Sequence, residues 1–165
     1  MTRIGPRLFA AFCFFAVLAF AQEPDNRGAQ GLPKGVAKAM SGDEKIFCDL
    51  WLGSYRKGCH RKFRENLWWR QVLITPSGQA AFLVDNRNMS FCGSAGCALY
   101  LFKQESNGRF SQILGRDGDV GNLARFKVLE ATTEGYYDLQ KTWADGQSTT
   151  VYRWDGKRYS IAQSP

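Results

Sequence analysis

Four cysteines, Cys48, Cys59, Cys92 and Cys97, follow a leader that predicts their removal from the reducing cytoplasm. That leader reads MTRIGPRLFAAFCFFAVLAFA, with Arg3 and Arg7 ahead of an apolar stretch from Leu8 to Leu18. Its Ala19-Phe20-Ala21 ending suits signal peptidase, so residues 1–21 are expected to be a signal peptide. The apolar stretch is shorter than the roughly 20 residues a membrane-spanning helix needs, and no later segment is apolar for long enough. No transmembrane anchor is therefore expected after cleavage. Cys13 leaves with the leader, and Phe12 stands where a lipid-attachment signal would need a small residue. An even number of cysteines outside the cytoplasm reads as a disulfide framework with three possible connectivities. The two local pairings, Cys48 with Cys59 and Cys92 with Cys97, are favoured because short loops close at the least entropic cost. Zinc would need three or four soft ligands, and His60 is the sole further candidate, so neither a metal nor another cofactor is expected.

Residues 22–35, QEPDNRGAQGLPKG, are polar and rich in Gly and Pro and read as a flexible lead. A single domain is expected over 36–165. It opens on a helical pattern: Ser41 precedes acidic residues suited to a first turn, and Ile46, Phe47, Leu50 and Trp51 form a helical stripe. Gly53 and Gly58 break the stripe before Cys59, which predicts a short helix tied back by a disulfide. From Trp68 onward the periodicity is that of strands. Turns are expected at Pro76-Ser77-Gly78, Ser106-Asn107-Gly108, Glu134-Gly135, Asp145-Gly146 and Asp155-Gly156, with about eight short strands between them. The expected fold class is α+β: an antiparallel β-sheet meander with a short disulfide-tied helical N-terminal segment.

The loop Cys92-Gly93-Ser94-Ala95-Gly96-Cys97 is the first candidate site. Reactive dithiols usually space their cysteines by two residues at a helix N-terminus, which depresses the thiol pKa. Here four residues intervene and a strand-like ALYLF run follows. An oxidised clamp at the mouth of a strand is expected, and its stiffness would lower the ordering cost of binding a partner through Gly93, Ser94, Ala95 and Gly96.

A second candidate is the run YRKGCHRKFRENLWWR, in which Arg56, Lys57, His60, Arg61, Lys62 and Arg64 are interleaved with aromatics. Such clusters suit an anionic envelope polymer or surface, and export removes nucleic acid as a partner. A solvated face with inward aromatics is the competing reading. Loss of Arg3 and Arg7 lowers the formal charge from +7 to +5, a moderate excess.

Asp117-Gly118-Asp119 resembles the start of a calcium loop, but Val128 stands where the bidentate Glu would be required. Asn88-Met89-Ser90 matches an N-glycosylation acceptor. The sequence contains no G-x-S-x-G, H-E-x-x-H or phosphate loop, and one histidine limits nucleophilic catalysis to a single base. An enzyme is not expected.

Two resemblances add to this reading. A Cys-x4-Cys loop followed by strand, turn and strand, over about residues 80–115, resembles the Ivy family of periplasmic lysozyme inhibitors. In that family the bridged loop enters the enzyme's cleft and carries a histidine, whereas Gly93-Ser94-Ala95-Gly96 carries none. The CGSAGC loop and the terminal YRWDGKRY hairpin are also similar to those of many small exported bacterial proteins without an assigned activity. Together the residues and resemblances predict a periplasmic or secreted, non-catalytic binding protein of inhibitor or immunity type. Its partner would be a protein met in the periplasm or outside the cell and recognised through residues 92–97. Binding of anionic polymer through residues 55–70 is the alternative.

Overall fold

The computed structural model describes residues 25–50, 58–94, 96–115, 120–121, 123–143 and 145–164. The leader, Trp51, Arg56, Lys57, Ala95 and the acidic residues of the calcium-like loop lie outside the described residues. Among the described residues, mostly antiparallel strands are accompanied by three α-helices: α1 (Lys34–Ala39), α2 (Ser41–Leu50) and α3 (Cys59–Glu65). One sheet contains β1 (Asn26–Arg27), β2 (Leu67–Leu73), β3 (Ala80–Asn86), β4 (Cys92–Gly93), β5 (Gly96–Gln104), β6 (Phe110–Leu114) and β7 (Val120–Gly121). A second sheet runs in chain order through β8 (Phe126–Thr133), β9 (Tyr136–Thr142), β10 (Thr149–Trp154) and β11 (Tyr159–Gln163).

Local turn chemistry accounts for the hairpins. Glu134 and Gly135 both have positive φ, +50° and +79°, matching the right-handed twist of β8 and β9 on either side. Asp155 Oδ1 accepts the backbone N–H groups of Lys157 and Arg158, and Asp145 Oδ1 does the same for Gln147 and Ser148. The Ser148 hydroxyl, donating to Asp145 Oδ2, and then the backbone N–H groups hold the Asp145 carboxyl below its usual range, and the backbone N–H groups do so for Asp155.

Two sheets, rather than the one expected, follow from the apolar runs AFLV and ALYLF in β3 and β5. Strands apolar on alternate and intervening positions alike have two faces to bury. Leu67, Trp69, Val84 and Phe102 point to the helices, where they meet Val36, Met40, Phe47 and Phe63. Val72, Leu83, Leu99 and Leu101 point the other way, onto Phe126, Leu139 and Tyr152 of the second sheet. The architecture is thus three layers: helices, the β2-β3-β5 sheet, and the β8–β11 sheet.

From Asn26 onward, the segment expected as a flexible lead is held against β2. β1 pairs antiparallel with β2, the Gly28 N–H donates to Leu67 O at 2.7 Å, and Trp69 Nε1–H donates to Gly28 O at 3.0 Å. Leu32 is buried, and α1 starts at Lys34. A polar segment can dock this way because backbone groups, rather than apolar side chains, supply the pairing. Gly35 matters here, since a Cβ at that position would lie 2.4 Å from a Phe110 ring carbon. The helical stripe is also rotated from expectation. Phe47 and Glu44 face inward in α2, whereas Ile46 and Leu50 are exposed. The Cys48–Cys59 bond and packing of α2 on α3 fix that rotation.

Candidate functional site: a bridged hairpin and its polar anchor

β4 lies on the same edge of β5 as β3, because Ala98 pairs with Asn86 on that edge and with Val120 on the other, where Cys97 pairs with Gly121. Between β3 and β4 the chain leaves the sheet for residues 87–91. Two fully buried asparagines hold this detour. Asn88 donates from its backbone N–H and from Nδ2 to Asn86 Oδ1, at 3.3 and 2.7 Å. Asn88 Nδ2 also donates to Phe63 O at 3.0 Å, joining the detour to α3. Phe91 then packs edge-on against Phe63, with ring centroids 6.3 Å apart, while Met89 is left 90% exposed.

Cys92 and Cys97 stand directly opposite each other across β4 and β5 and are disulfide-bonded, their Cα atoms 3.9 Å apart. Gly96 has φ of +123°, a conformation that L side chains rarely adopt, so glycine is needed where the hairpin re-enters β5. Cys92, Gly93 and Ser94 are exposed. The described part of the tip, with Met89, carries no charged side chain, so it offers a stiff, neutral and partly apolar surface.

Beneath the hairpin, Tyr100 O–H on β5 donates to Asp43 Oδ2 on α2 at 2.6 Å, and Asn86 Nδ2 donates to the same oxygen at 3.3 Å. Burial and then the Asp43 carboxylate push the Tyr100 hydroxyl well above the usual phenol range. The Asn88-Met89-Ser90 acceptor pattern sits on this anchor. Asn88 is 1% exposed with its amide bonded, so in the folded state it is out of reach of a glycosylating enzyme.

The basic run folds mainly into α3, beside α2. Cys48 and Cys59 form the other disulfide. His60 Nδ1 lies 3.8 Å from Cys48 Sγ and 3.4 Å from Glu44 Oε1, which also accepts from Arg64 Nε at 3.0 Å. Arg61 and Lys62 both reach Glu65, at 3.5 and 3.4 Å. Each described cation of the run therefore faces a carboxylate. Trp69 and Phe63 are buried, while His60 is exposed, its Nδ1 facing both Glu44 and the bridged Cys48 sulfur.

Between the sheets, Arg70 donates to Phe126 O and lies 3.8 Å from Asp25, and Arg87 Nε donates to Asp85 Oδ2 at 2.8 Å while stacking 4.1 Å over Trp68. Arg70 Nε and Asp85 Oδ1 are buried without a hydrogen-bond partner among the described residues. Burial raises the Asp85 carboxyl above its usual range despite Arg87, and lowers the Arg70 guanidinium despite Asp25.

No family model, curated protein or solved structure matches this chain.

The sequence singled out residues 92–97, and Asn88-Met89-Ser90 only as a glycosylation pattern, but not Asp43, Asn86 or Tyr100. DNRN at 85–88 was the available signal, since so polar a run directly after AFLV requires partners for its side chains. Of the acidic partners of the basic run, Glu65 lies within it, whereas Glu44 escaped notice because it is 20 residues from Arg64.

Proposed function

We propose that this is an exported, non-catalytic binding protein, periplasmic or secreted, that engages a protein partner through the bridged hairpin at residues 92–97 and the neighbouring Met89. Two disulfides point to an oxidising, non-cytoplasmic compartment. The observation that carries the reading is the 90% exposure of Met89 beside a hairpin pinned by directly opposed cysteines. A flexible thioether adapts to an apolar cleft, and a covalently closed tip loses little conformational freedom on docking. Such a finger suits an inhibitor or immunity-type role, in which a small projection fills a groove of its target. The absence of a histidine from Gly93-Ser94-Ala95-Gly96 separates it from the Ivy mode of inhibition.

The anionic-polymer alternative has less support. His60, Arg61, Lys62 and Arg64 all sit within 4.0 Å of Glu44 or Glu65, which removes much of the local field.

Site-specific photocrosslinking in the exporting host tests the hairpin. A crosslinker at Met89 or Ser94 should give a discrete protein adduct that Ser94→Lys diminishes when the crosslinker is at Met89. A crosslinker at Lys157, in the β10–β11 turn, should not give that adduct. Identical adducts from all three positions, or none from the hairpin, would refute the assignment.

A further inference from the structure

We propose that Glu44, Cys48, Cys59 and His60 form a tetrahedral zinc site once the Cys48–Cys59 disulfide is reduced. The sulfur and ring-nitrogen atoms of Cys48, Cys59 and His60 all lie within 4.8 Å of one another. Glu44 stands beside this three-residue group rather than within it, its Oε1 3.4 Å from His60 Nδ1, and supplies the fourth donor by turning toward the sulfurs. With Zn–S near 2.3 Å and Zn–N and Zn–O about 2.0–2.2 Å, a regular tetrahedron has S–N edges of about 3.6 Å and N–O edges of about 3.4 Å. The Cys48 Sγ to His60 Nδ1 separation of 3.8 Å and the His60 to Glu44 separation of 3.4 Å already match those edges, while the Cys59 sulfur, up to 4.8 Å from the ring nitrogen, must draw in once the S–S bond opens. Reduction removes the one bond that keeps the two sulfurs closer than a shared metal allows.

Charge supports the same composition. Two thiolates and the Glu44 carboxylate carry three negative charges, which Zn2+ and the adjacent Arg64 guanidinium balance. Arg64 thus holds Glu44 in place as a positioning residue, in the way outer-sphere partners commonly orient zinc ligands. The His60 side chain is 68% exposed and gives the ion a route in, while Cys59 is buried. The site uses α2 and α3 alone and is independent of the hairpin reading. It would join α2 to α3 by metal before oxidation and by a covalent bond after it.

A phosphine serves as the reductant. The phosphine takes oxygen from water as the S–S bond breaks, leaving two thiols, and Zn2+ displaces both thiol protons on binding. A full chain carrying Cys13→Ser, Cys92→Ser and Cys97→Ser retains the two site thiols alone. When it is reduced with phosphine in the presence of Co2+, one equivalent should bind with a thiolate-to-cobalt charge-transfer band and tetrahedral visible bands, and Zn2+ should displace it. The oxidised chain should show neither band. His60→Ala and Glu44→Gln should each lower affinity by about tenfold or more. A second measurement leaves the natural cysteines in place: the chain is reduced with Zn2+ present and then alkylated. Zinc should protect Cys48 and Cys59 while Cys92 and Cys97 react. Absence of the charge-transfer band, octahedral spectra, unchanged affinity in either variant, or equal alkylation of all four thiols would overturn the proposal.

Discussion

Tyr100 and Asp43 lie 57 residues apart in the chain, yet the phenol hydroxyl of one donates to the carboxylate of the other across 2.6 Å. The bond joins α2, which carries Cys48, to β5, which carries Cys97. Asn86 donates to the same carboxylate oxygen and also anchors the detour that leads into the bridged hairpin. The two disulfides close only local loops, so this clasp, together with the Asn88–Phe63 bond to α3, is what relates the two bridged units to each other.

Removing either partner of the clasp should therefore cost stability in a coupled way. In a double-mutant cycle of Tyr100→Phe and Asp43→Asn, followed by denaturant unfolding, a coupling of about 1.5 kcal/mol is expected for a hydrogen bond to a charged group. A coupling near zero would mean that solvent replaces the bond without loss. The raised Tyr100 pKa fixes the direction of the pH effect. The clasp's contribution is full below the ordinary phenol value of about 10 and is lost as pH rises through the higher folded value.

The two disulfides should differ in what their removal does. The Cys48–Cys59 loop spans a separation of 11 residues and the Cys92–Cys97 loop one of 5. Chain-entropy arguments assign about 3 kcal/mol to the first and about 2 kcal/mol to the second. Replacing Cys92 and Cys97 with serine should thus be the milder change in global stability. Its main effect should be faster amide exchange confined to residues 92–97, read by hydrogen-exchange mass spectrometry. Global exchange of the sheet to the same extent would contradict that division of labour.

What could be read in the sequence was what depends on near neighbours. Turns at Asn107-Gly108, Gly135 and Asp155-Gly156 fix φ locally and announce their hairpins, and cysteines close in the chain bond to each other. Features set by distant partners were not legible. Leu83 and Leu101 are buried because a second sheet covers them, and the turn-rich segment after Leu114 gives no register for that crossing. Asp25 to Leu32 read as a lead because its ordering comes from backbone pairing with β2 and from Trp69, not from its own side-chain pattern. At the candidate site, the ring Cys92–Cys97 was visible, whereas the exposure of Met89 depends on Asn88 turning inward to Phe63 O. Asn86 and Asn88 at 0% and 1% exposure break the usual expectation for asparagine, and only their mutual bonds make that burial tolerable.

Asp85 gives a pH prediction with a definite sign. Burial is the largest influence on its carboxyl and raises its folded pKa above the unfolded value, so the folded state favours the protonated form. Its stabilising balance is fully present below the unfolded value of about 3.9 and is lost as pH rises through the folded value. Asp85→Asn removes that titration. The melting temperature of the variant relative to the natural chain should therefore increase from pH 4 to pH 7. A difference that stays flat over this interval, or falls, would show that Arg87 outweighs burial.

The paired cations of α3 lead to a test of the polymer reading by addition rather than deletion. Glu65 lies within 3.5 Å of Arg61 and within 3.4 Å of Lys62, and all three side chains are substantially exposed. Exposed pairs of this kind contribute little to stability, so Glu65→Gln should leave the fold intact. The substitution frees two cations and raises the net charge by one. If the pairing is what suppresses attraction to polyanions, the variant should elute from an anionic polysaccharide column at higher salt than the natural chain. The gain should vanish at high ionic strength, where the screening length falls to about 3 Å at 1 M. If the run instead binds polymer as it stands, Glu65→Gln should change elution little, and Arg61→Ala with Lys62→Ala should release the natural chain at much lower salt. That second pattern would move the binding surface from the bridged hairpin to α3.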